Sequence, residues 1–470
     1  MSMLVKDTIR AFRLLSPPLL PTSSSHRSLL CSRFSSSSAR NFNVVGSGMG
    51  GPLYIDGRTG EGGGQLIRIA CALAAVTSHP IHIRHVRGNR GGKQGGGLKA
   101  QHVAAIKWLA EATNAQVDGL AVGSHTFTFQ PSLPPTALKE RKFQIVAGND
   151  SSSTLLVFQA VFPFLLFAGN GHGDPIELEI HGGTNTSFSP SYEYFDQVLL
   201  PALQDNFGIN VERQLIKRSW TKGPHTRGSI WLKFQPLAPG QPLTPRVPWD
   251  KPISTEDFQV KQIDISILVP HELQAPLTVA LTQDLNQLFP AVDVGVVVME
   301  DSGHKSRIYT LLVAHSETGL RWGCDYMHEK CLSKQMMPED MSSRVSAAVC
   351  KRLRKELEAR GTVDGHLQDQ LVVFQALADG RTSFYGSTES AREDVGSGGS
   401  GDTDALGSSS NDPQLEKEMR QDKPDSPFGE GLTHTITARW IASKLLPTVR
   451  WFNQGRICDG ASVSFPQTGK

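Results

Sequence analysis

The sequence Tyr-Ile-Asp-Gly-Arg-Thr-Gly-Glu-Gly-Gly-Gly-Gln-Leu-Ile-Arg-Ile-Ala, residues 54–70, decides how the first part of the chain folds. A short apolar run ends at Asp56-Gly57, and a glycine-rich turn then leads into apolar residues at helical spacing. The pattern predicts a strand, a turn and a helix. Glycines at such a junction let the backbone approach a ligand. The helix N-terminus behind them offers unpaired N–H groups, so a phosphate is the expected ligand.

Positive charge is concentrated in the same region. Between Gly62 and Ala110 there is no Asp or Glu, but there are seven cations: Arg68, Arg84, Arg87, Arg90, Lys93, Lys99 and Lys107. A second glycine cluster, within residues 91–97, is interleaved with them and predicts a mobile loop. A solvated basic face is the alternative explanation of such a run, and the glycines favour anion binding over it.

The composition is that of an ordinary globular protein, with 39% hydrophobic and 20% charged residues. A length of 470 residues exceeds what one hydrophobic core usually serves, so two domains are expected. The formal net charge of +2 hides an asymmetry, because residues 1–50 contain six Lys or Arg and only one acid. The rest of the chain is not basic, and any binding of nucleic acid must rely on a local patch.

Residues 1–50 have the composition of a mitochondrial transit peptide, with apolar residues set against Arg and Lys and a Ser/Arg-rich tract behind them. The other interpretation is a disordered extension without a targeting signal. No apolar run reaches the ~18 residues that are needed to cross a bilayer, so we expect no membrane partner.

Strands and helices alternate along the chain, which predicts an α/β (α+β) fold. The order β-α-β-α-β-β occurs twice between residues 51 and 245, so we expect repeated units in a large domain. Residues 253–335 have their own pattern and predict a small inserted α/β domain. The large domain then continues in 336–385 and ends in 429–470. Residues 386–428, rich in Gly, Ser and acids, predict a disordered insertion.

His434 is the candidate nucleophile that the residues themselves indicate. The run Ala438–Leu446 predicts the last helix, and His434 precedes it, with Thr433, Thr435 or Thr437 available as caps. A helix N-terminus disfavours imidazolium, and a nucleophilic histidine must be neutral near pH 7. A structural role is the commoner one for a lone histidine, so this pattern alone leaves both open.

Several motifs together resemble the RNA 3′-terminal phosphate cyclases, from about residue 52 to the C-terminus. The most specific is Glu61-Gly62-Gly63-Gly64-Gln65-Leu66-Ile67-Arg68. The others are Asp56-Gly57, the Arg87, Arg90, Gln101, His102 series, Gly182-Gly183-Thr184, Asp369-Gln370-Leu371 and the Thr-His-Thr before the last helix. The resemblance implies repeated β-α-β-α-β-β units with a smaller inserted domain, in agreement with the pattern above.

The resemblance also implies a reaction. These enzymes, of the ligase class, use ATP to convert an RNA 3′-terminal phosphate to a 2′,3′-cyclic phosphate, through a covalent histidine–AMP and an adenylylated RNA end. His434 matches the nucleophile, Asp369 an acid that orients it, and Glu61 the ligand of a divalent metal, Mg or Mn. The residues that match nucleotide- and phosphate-binding positions are Gln65, Arg68, Arg87, Arg90, Gln101, His102, Pro190, His366, Asp369 and Gln370.

At position 366 and in residues 1–50, the chain departs from what the family leads us to expect. The family has an aromatic residue that stacks on adenine where this chain has His366, with Pro190 supplying the opposite face. Family members in eukaryotes are typically nuclear, which conflicts with the composition of residues 1–50. The localisation expected from the sequence is therefore either the nucleus or the mitochondrion.

Two other function classes remain to be weighed. Cyclase-like proteins that lack the nucleophilic histidine serve as binding factors in ribosome assembly, and the presence of His434, Glu61, Gln65 and Arg68 argues against that class. A different phosphate-using enzyme on the same repeats, such as an enolpyruvyl transferase, would not need a histidine at the last helix. Covalent labelling by ATP separates these classes.

Overall fold

The computed structural model describes residues 51–91, 95–221, 223–224, 226–328, 337–385 and 419–466. The predicted leader, 1–50, lies outside these ranges, as do residues 386–418 of the predicted insertion. The targeting function of residues 1–50 and the disorder of residues 386–418 stay predictions. In the ranges that are described, no helix has both the length and the apolar composition needed to span a bilayer.

Helix α1 (Gly64–Thr77) is the centre of the first repeat. It joins two parallel strands, β1 (Leu53–Asp56) and β2 (Ile81–Arg84), and all its residues from Gln65 to Val76 except Arg68 are buried. A helix that is buried on nearly all sides belongs to the interior of a fold. The predicted strand, turn and helix are therefore confirmed.

The first repeat is completed by α2 (Ala100–Thr113), β3 (Gln116–Asp118) and β4 (Thr126–Gln130). Its sheet has the order β1-β2-β4-β3, in which β4 is antiparallel to both neighbours. The side chains that point inward along β2 and β4 are apolar and buried, and those that point outward are polar. This alternation fixes the register of the sheet.

The second repeat has the same order of elements and the same topology, β5-β6-β8-β7. Its elements are β5 (Lys142–Val146), α3 (Thr154–Leu166), β6 (Ile176–Gly182), α4 (Tyr192–Tyr194), a π-helical turn (Phe195–Leu199), α5 (Leu200–Phe207), β7 (Val211–Lys217) and β8 (Gly228–Phe234). The predicted duplication is confirmed, and the α/β fold class with it.

A third copy of the unit, without its first strand, was not predicted. It consists of α8 (Gly365–Leu377), β13 (Arg381–Ser383), α9 (Thr433–Leu445), β14 (Arg450–Phe452) and β15 (Ile457–Asp459). The sheet order β13-β15-β14 corresponds to β2-β4-β3 of the first repeat. The strands of this copy have three residues each, too few to show a period of two in the sequence.

The remaining elements form a separate sheet with two helices. They are β9 (Val260–Val269), α6 (His271–Leu288), β10 (Asp293–Asp301), β11 (Tyr309–Ser316), β12 (Arg321–Met327) and α7 (Pro338–Glu358). The order is β10-β9-β11-β12. On β11, Leu312 and Ala314 pack with the helices while Leu311 and Val313 join the core of the repeats, so this strand is buried on both faces.

Residues 419–428, the end of the predicted insertion, make specific contacts. Gln421 pairs with Phe452 as an isolated β-bridge, and the Asp422 carboxylate accepts from the backbone N–H groups of Gln454 (3.0 Å) and Gly455 (2.7 Å). The prediction that the disordered insertion extends to residue 428 is therefore wrong for this segment, because Gln421 and Asp422 have partners on β14 and in the turn that follows it.

Candidate active site

A cleft of about 700 Å³ lies between the second repeat, the third repeat and the sheet that contains β12. Its lining includes the loop after β6, the first turns of α8 and α9, and the end of β12. Its lining residues include Arg68, Gln159, Phe188, Pro190, Asp325, His366, Asp369, Gln370 and His434. A cleft of this size suits a ligand as large as a nucleotide.

His434 lies in the first turn of α9, because the helix begins at Thr433. The prediction that it begins at Ala438 behind a threonine cap is wrong: the N-cap residue is Leu432, and no described side chain caps it. Threonine is a preferred N-cap residue, so the three threonines were interpreted as candidate caps in front of the helix. Packing decides otherwise, since Thr437 is fully buried and its hydroxyl donates to the carbonyl oxygen of Thr433 (2.6 Å), one turn back.

Gln65 connects His434 to Asp369. Nδ1 of His434 lies 2.7 Å from Oε1 of Gln65, and Nε2 of Gln65 donates to Oδ2 of Asp369 (2.6 Å). An amide oxygen only accepts, so Nδ1 of His434 must carry the proton in this arrangement. The lone pair of the neutral ring is then on Nε2, as a nucleophilic imidazole requires.

A chain of side-chain amides leads from Arg68 to Asp369. Nε of Arg68, which only donates, bonds to Oε1 of Gln159 (3.0 Å), and Nε2 of Gln159 donates to Oε1 of Gln370. Nε2 of Gln370 then donates to Oδ1 of Asp369 (3.0 Å). Because Arg68 can only donate, the orientation of each amide along the chain is fixed in turn. Asp369 therefore accepts on both of its oxygens. Gln65 donates its NH₂ group to Asp369 and must present its amide oxygen to His434.

Gln159 is the member of this chain that was not predicted. It is the single polar side chain between Leu155 and Leu166 of α3, a segment that is otherwise entirely apolar. A polar group in a buried helix needs a hydrogen-bonding partner, so this isolated glutamine was a signal that could have been used.

Asp369 and His366 influence each other at the base of the cleft. Burial raises the pKa of Asp369 above its ordinary value, although His434 and His366 act in the opposite direction. Burial alone would lower the pKa of His366, but the carboxyl groups of Asp325, Asp364 and Asp369 outweigh it and raise that pKa. His366 and Pro190 line the same cleft, as the predicted adenine slot requires.

His102 and Arg68 converge on the first residue of α1. A Cβ on Gly64 would lie 2.8 Å from Nε2 of His102 and 3.0 Å from Nη1 of Arg68, so glycine leaves room there for both donors. His102 is 3% exposed, and its Nδ1 accepts from the backbone N–H of Lys99 (3.1 Å). Burial, together with Arg68, Arg87 and Lys99, holds the pKa of His102 well below its ordinary value.

The neutral His102 ring must therefore carry its proton on Nε2. That N–H is buried and finds no hydrogen-bond partner within the described part of the chain. Burial also lowers the pKa of the neighbouring Arg68 to about 10. Two inward-facing donors at a helix N-terminus form a site for an anion, and phosphate has the matching charge and acceptors.

Arg87, Arg90 and Gln101 are held by other contacts. Nη1 of Arg87 donates to a backbone carbonyl of its own loop, that of Gly97 (3.3 Å), and Arg90 pairs with Glu61. Oε1 of Gln101 accepts from a backbone N–H at the start of α3 (3.4 Å). Burial, and then the nearby Arg90, lower the pKa of Arg87. The predicted phosphate loop is therefore close to α1, but Gln101 is turned away from His102 towards the second repeat.

Glu61 offers one free acceptor for a metal ion. Its side chain is 7% exposed, Oε1 is paired with Arg90, and the buried Oε2 finds no donor among the residues described. Its backbone N–H donates to Oγ1 of Thr437 (2.9 Å), which fixes the turn against α9. No group of three or more His, Cys, Asp or Glu side chains suited to a metal occurs in the described ranges. A cation here would take one carboxylate and complete its shell with phosphate and water oxygens, as Mg²⁺ commonly does.

Arg218, which follows β7, holds the loop after β6 in place. Its Nη1 donates to Oδ1 of Asn185 (2.9 Å) and pairs with Glu193 (2.7 Å), while Nε and Nη2 make a bidentate contact with Glu300 (2.6 and 2.8 Å). Nδ2 of Asn185 donates to Glu193 in turn (2.8 Å). The buried charges are therefore paired and hydrogen-bonded, and they tie the Pro190 loop to β10.

Comparison with known proteins is consistent with this geometry. A family model described as RNA 3′-terminal phosphate cyclase matches residues 59–393. A relative of that name from Methanosarcina mazei is 32% identical over 346 residues, which is 71% of this chain and 89% of the relative. Another from Pyrococcus furiosus is 32% identical over 337 residues, 70% of this chain and 87% of the relative. One from Thermococcus gammatolerans is also 32% identical, over 336 residues.

Proposed function

Since this chain belongs to the RNA 3′-terminal phosphate cyclase family, we propose that it converts the 3′-terminal phosphate of an RNA to a 2′,3′-cyclic phosphate in an ATP-dependent reaction. The observation that carries the proposal is the hydrogen-bond order at His434. Gln65 and Asp369 keep the proton on Nδ1, and the lone pair on Nε2 is available for attack on a phosphorus.

Three displacements complete the reaction. Nε2 of His434 attacks the α-phosphorus of ATP, an N–P bond forms and pyrophosphate leaves. An oxygen of the RNA 3′-phosphate then attacks the same phosphorus, which breaks the N–P bond and frees the imidazole. Finally the adjacent 2′-hydroxyl attacks the 3′-phosphorus, AMP leaves and the hydroxyl proton is lost. A covalent intermediate divides one difficult exchange into easier steps.

The charges around α1 support this sequence of steps. The polyphosphate is opposed by Arg68, Arg87, Arg90 and the His102 N–H, and fixed donors of this kind stabilise the negative charge that shifts during displacement. Glu61 would hold a divalent cation by its unpartnered oxygen, and such a cation, Mg or Mn, supplies further neutralisation of the phosphates. The role of the neutral side chains of Gln65, Gln101 and Gln370 is then to orient the reacting groups, since they cannot neutralise charge.

The second candidate is a non-catalytic cyclase-like binding factor. His434 has its orienting partner and lies in a cleft that suits a nucleotide, and neither feature is needed for binding another protein. We therefore favour the enzyme.

Labelling with ATP that is radioactive at the α-phosphate tests the proposal. We expect the purified chain to retain acid-labile label, and we expect His434→Ala to retain none. His172→Ala, at an exposed histidine outside the cleft, is the matched control and should label like the parent. Unlabelled parent protein would favour the binding factor, and a labelled His434→Ala would place the adenylate on another residue.

A further inference from the structure

We propose that Phe188 is a stacking platform for the 3′-terminal nucleobase of the RNA. This inference rests on the proposed function and adds a substrate contact to it. The aromatic ring lines the cleft that also contains His434 and Arg68.

Phe188 is unusual because its ring is apolar, exposed and in a polar cleft. Its exposed fraction is 53%, whereas Tyr194 in the same cleft is 3% exposed. Tyr326, also at the cleft, is half-buried, with the Arg352 guanidinium over its ring (5.8 Å to the centroid). Phe188 therefore has the most exposed phenyl or phenol ring among the described residues of the lining. Little packing in the folded chain accounts for its position.

The backbone on both sides of Phe188 is fixed. The hydroxyl groups of Thr186 and Ser189 are hydrogen-bonded (2.6 Å), and that of Ser189 is also within 2.7 Å of the Ser153 hydroxyl at the N-terminus of α3. Thr186 is buried, and the Arg218 contacts hold Asn185 just before it. The ring is thus presented by an ordered loop, which lowers the conformational entropy lost when a ligand stacks on it.

The expected positions of ATP and RNA in the cleft indicate which group stacks on Phe188. Adenine is expected between Pro190 and His366, so the α-phosphate lies between that slot and His434. The RNA phosphate must then approach His434 from the open side of the cleft, where the terminal nucleoside remains outside. A single-stranded end has an unstacked base whose face is apolar, and an exposed phenyl ring matches it. Stacking is tolerant of base identity, so this contact requires no particular base at the RNA terminus.

Binding of 3′-phosphorylated oligonucleotides without ATP tests the inference. Fluorescence anisotropy would compare an RNA with an ordinary terminal nucleotide and the same RNA with an abasic terminal nucleotide. For Phe188→Ala we expect Kd to rise about tenfold for the ordinary RNA, the scale of one base–aromatic stack, and to change little for the abasic RNA. Phe188→Trp should retain tight binding of the ordinary RNA.

Tyr54→Ala is the matched control, because Tyr54 is an exposed aromatic residue (65%) on β1 that does not line the cleft. It should leave both affinities unchanged. An equal rise in Kd for both RNAs with Phe188→Ala would overturn the inference, as would no rise for either. The binding measurement needs no catalysis, so failure of the ATP labelling above would reject the proposed function without deciding this point.

Discussion

The histidines of the first and third repeats occupy similar places and have opposite hydrogen-bonding roles. His102 is in the first turn of α2 and His434 in the first turn of α9, each the second helix of its repeat. Nδ1 of His102 accepts from a backbone N–H, which leaves the proton on Nε2. Nδ1 of His434 donates to Gln65, which leaves the lone pair on Nε2.

The difference shows that the partner of Nδ1, and not the place in the repeat, sets what the ring can do. The backbone N–H leaves His102 with a donor on Nε2, which suits the phosphate contact proposed above. The amide oxygen leaves His434 with a lone pair on Nε2, which suits the proposed nucleophile. The same position in two repeats can therefore present either a donor or a lone pair on Nε2, because the neighbour of Nδ1 sets the tautomer.

The change that should disturb this contrast most is Asp369→Asn. The new amide would accept from Gln370 and donate to Gln65, so Gln65 would turn its own NH₂ towards Nδ1 of His434. The lone pair on Nε2 would be lost. We expect histidine–AMP formation to fall by about 10⁴-fold, the loss seen when a catalytic histidine is held in the wrong tautomer. Single-turnover labelling measures it.

The pH profile checks the same mechanism. Because burial raises the pKa of Asp369, this carboxyl takes up a proton as the pH falls through that raised value, at a higher pH than an exposed Asp would. The protonated carboxyl group can donate to Gln65, whose side-chain amide would then turn its NH₂ group towards Nδ1 of His434. The parent protein should therefore lose activity on the acid side, and Asp369→Asn should lack this step. Asp379→Asn, at an exposed position, is the control. A near-normal rate for Asp369→Asn would refute the tautomer argument.

Gln65→Met should have a smaller effect than Asp369→Asn. Methionine has a similar length and cannot hydrogen-bond strongly, so it releases His434 without forcing the wrong tautomer. We expect a loss of about 10- to 100-fold in the rate of histidine–AMP formation, typical of removing an orienting partner. Gln116→Met, on an exposed part of β3, should be neutral. If Gln65→Met proved worse than Asp369→Asn, orientation alone would not be the role of Gln65.

His102→Leu should have the smallest effect of the three and a different kinetic signature. Loss of a donor to a charged group should raise KM for ATP about tenfold and change kcat less. His102→Gln retains an N–H and should recover most of the affinity. Steady-state kinetics with both variants decides the point. A fall in kcat with unchanged KM would instead give His102 a part in the chemical step, like His434.

The sequence predicted much of this molecule because local patterns were strong. The glycine turn before α1 and the two complete repeats each have a clear hydrophobic period or a chain-breaking residue, and the structure has them where expected. The inserted sheet was also expected, but helix α7, which was assigned to the large domain, shares the hydrophobic core of that sheet. The start of α9 was misjudged because threonines suit N-cap positions locally, whereas Thr435 and Thr437 are buried within the helix. Gln159 was overlooked because its two hydrogen-bond partners, Arg68 and Gln370, are distant from it in sequence.

The sequence by itself determined which chemical groups are present and near which turns: a cation-rich glycine loop, a histidine beside the last helix and the motifs of one enzyme family. Only the tertiary structure decided which hydrogen-bonding partners those groups have. A tautomer depends on the neighbour at one nitrogen atom, and for His434 that neighbour is Gln65, 369 residues away along the chain. No periodicity or local propensity records a contact of that range, because it exists only when α1 of the first repeat packs against α9 of the third.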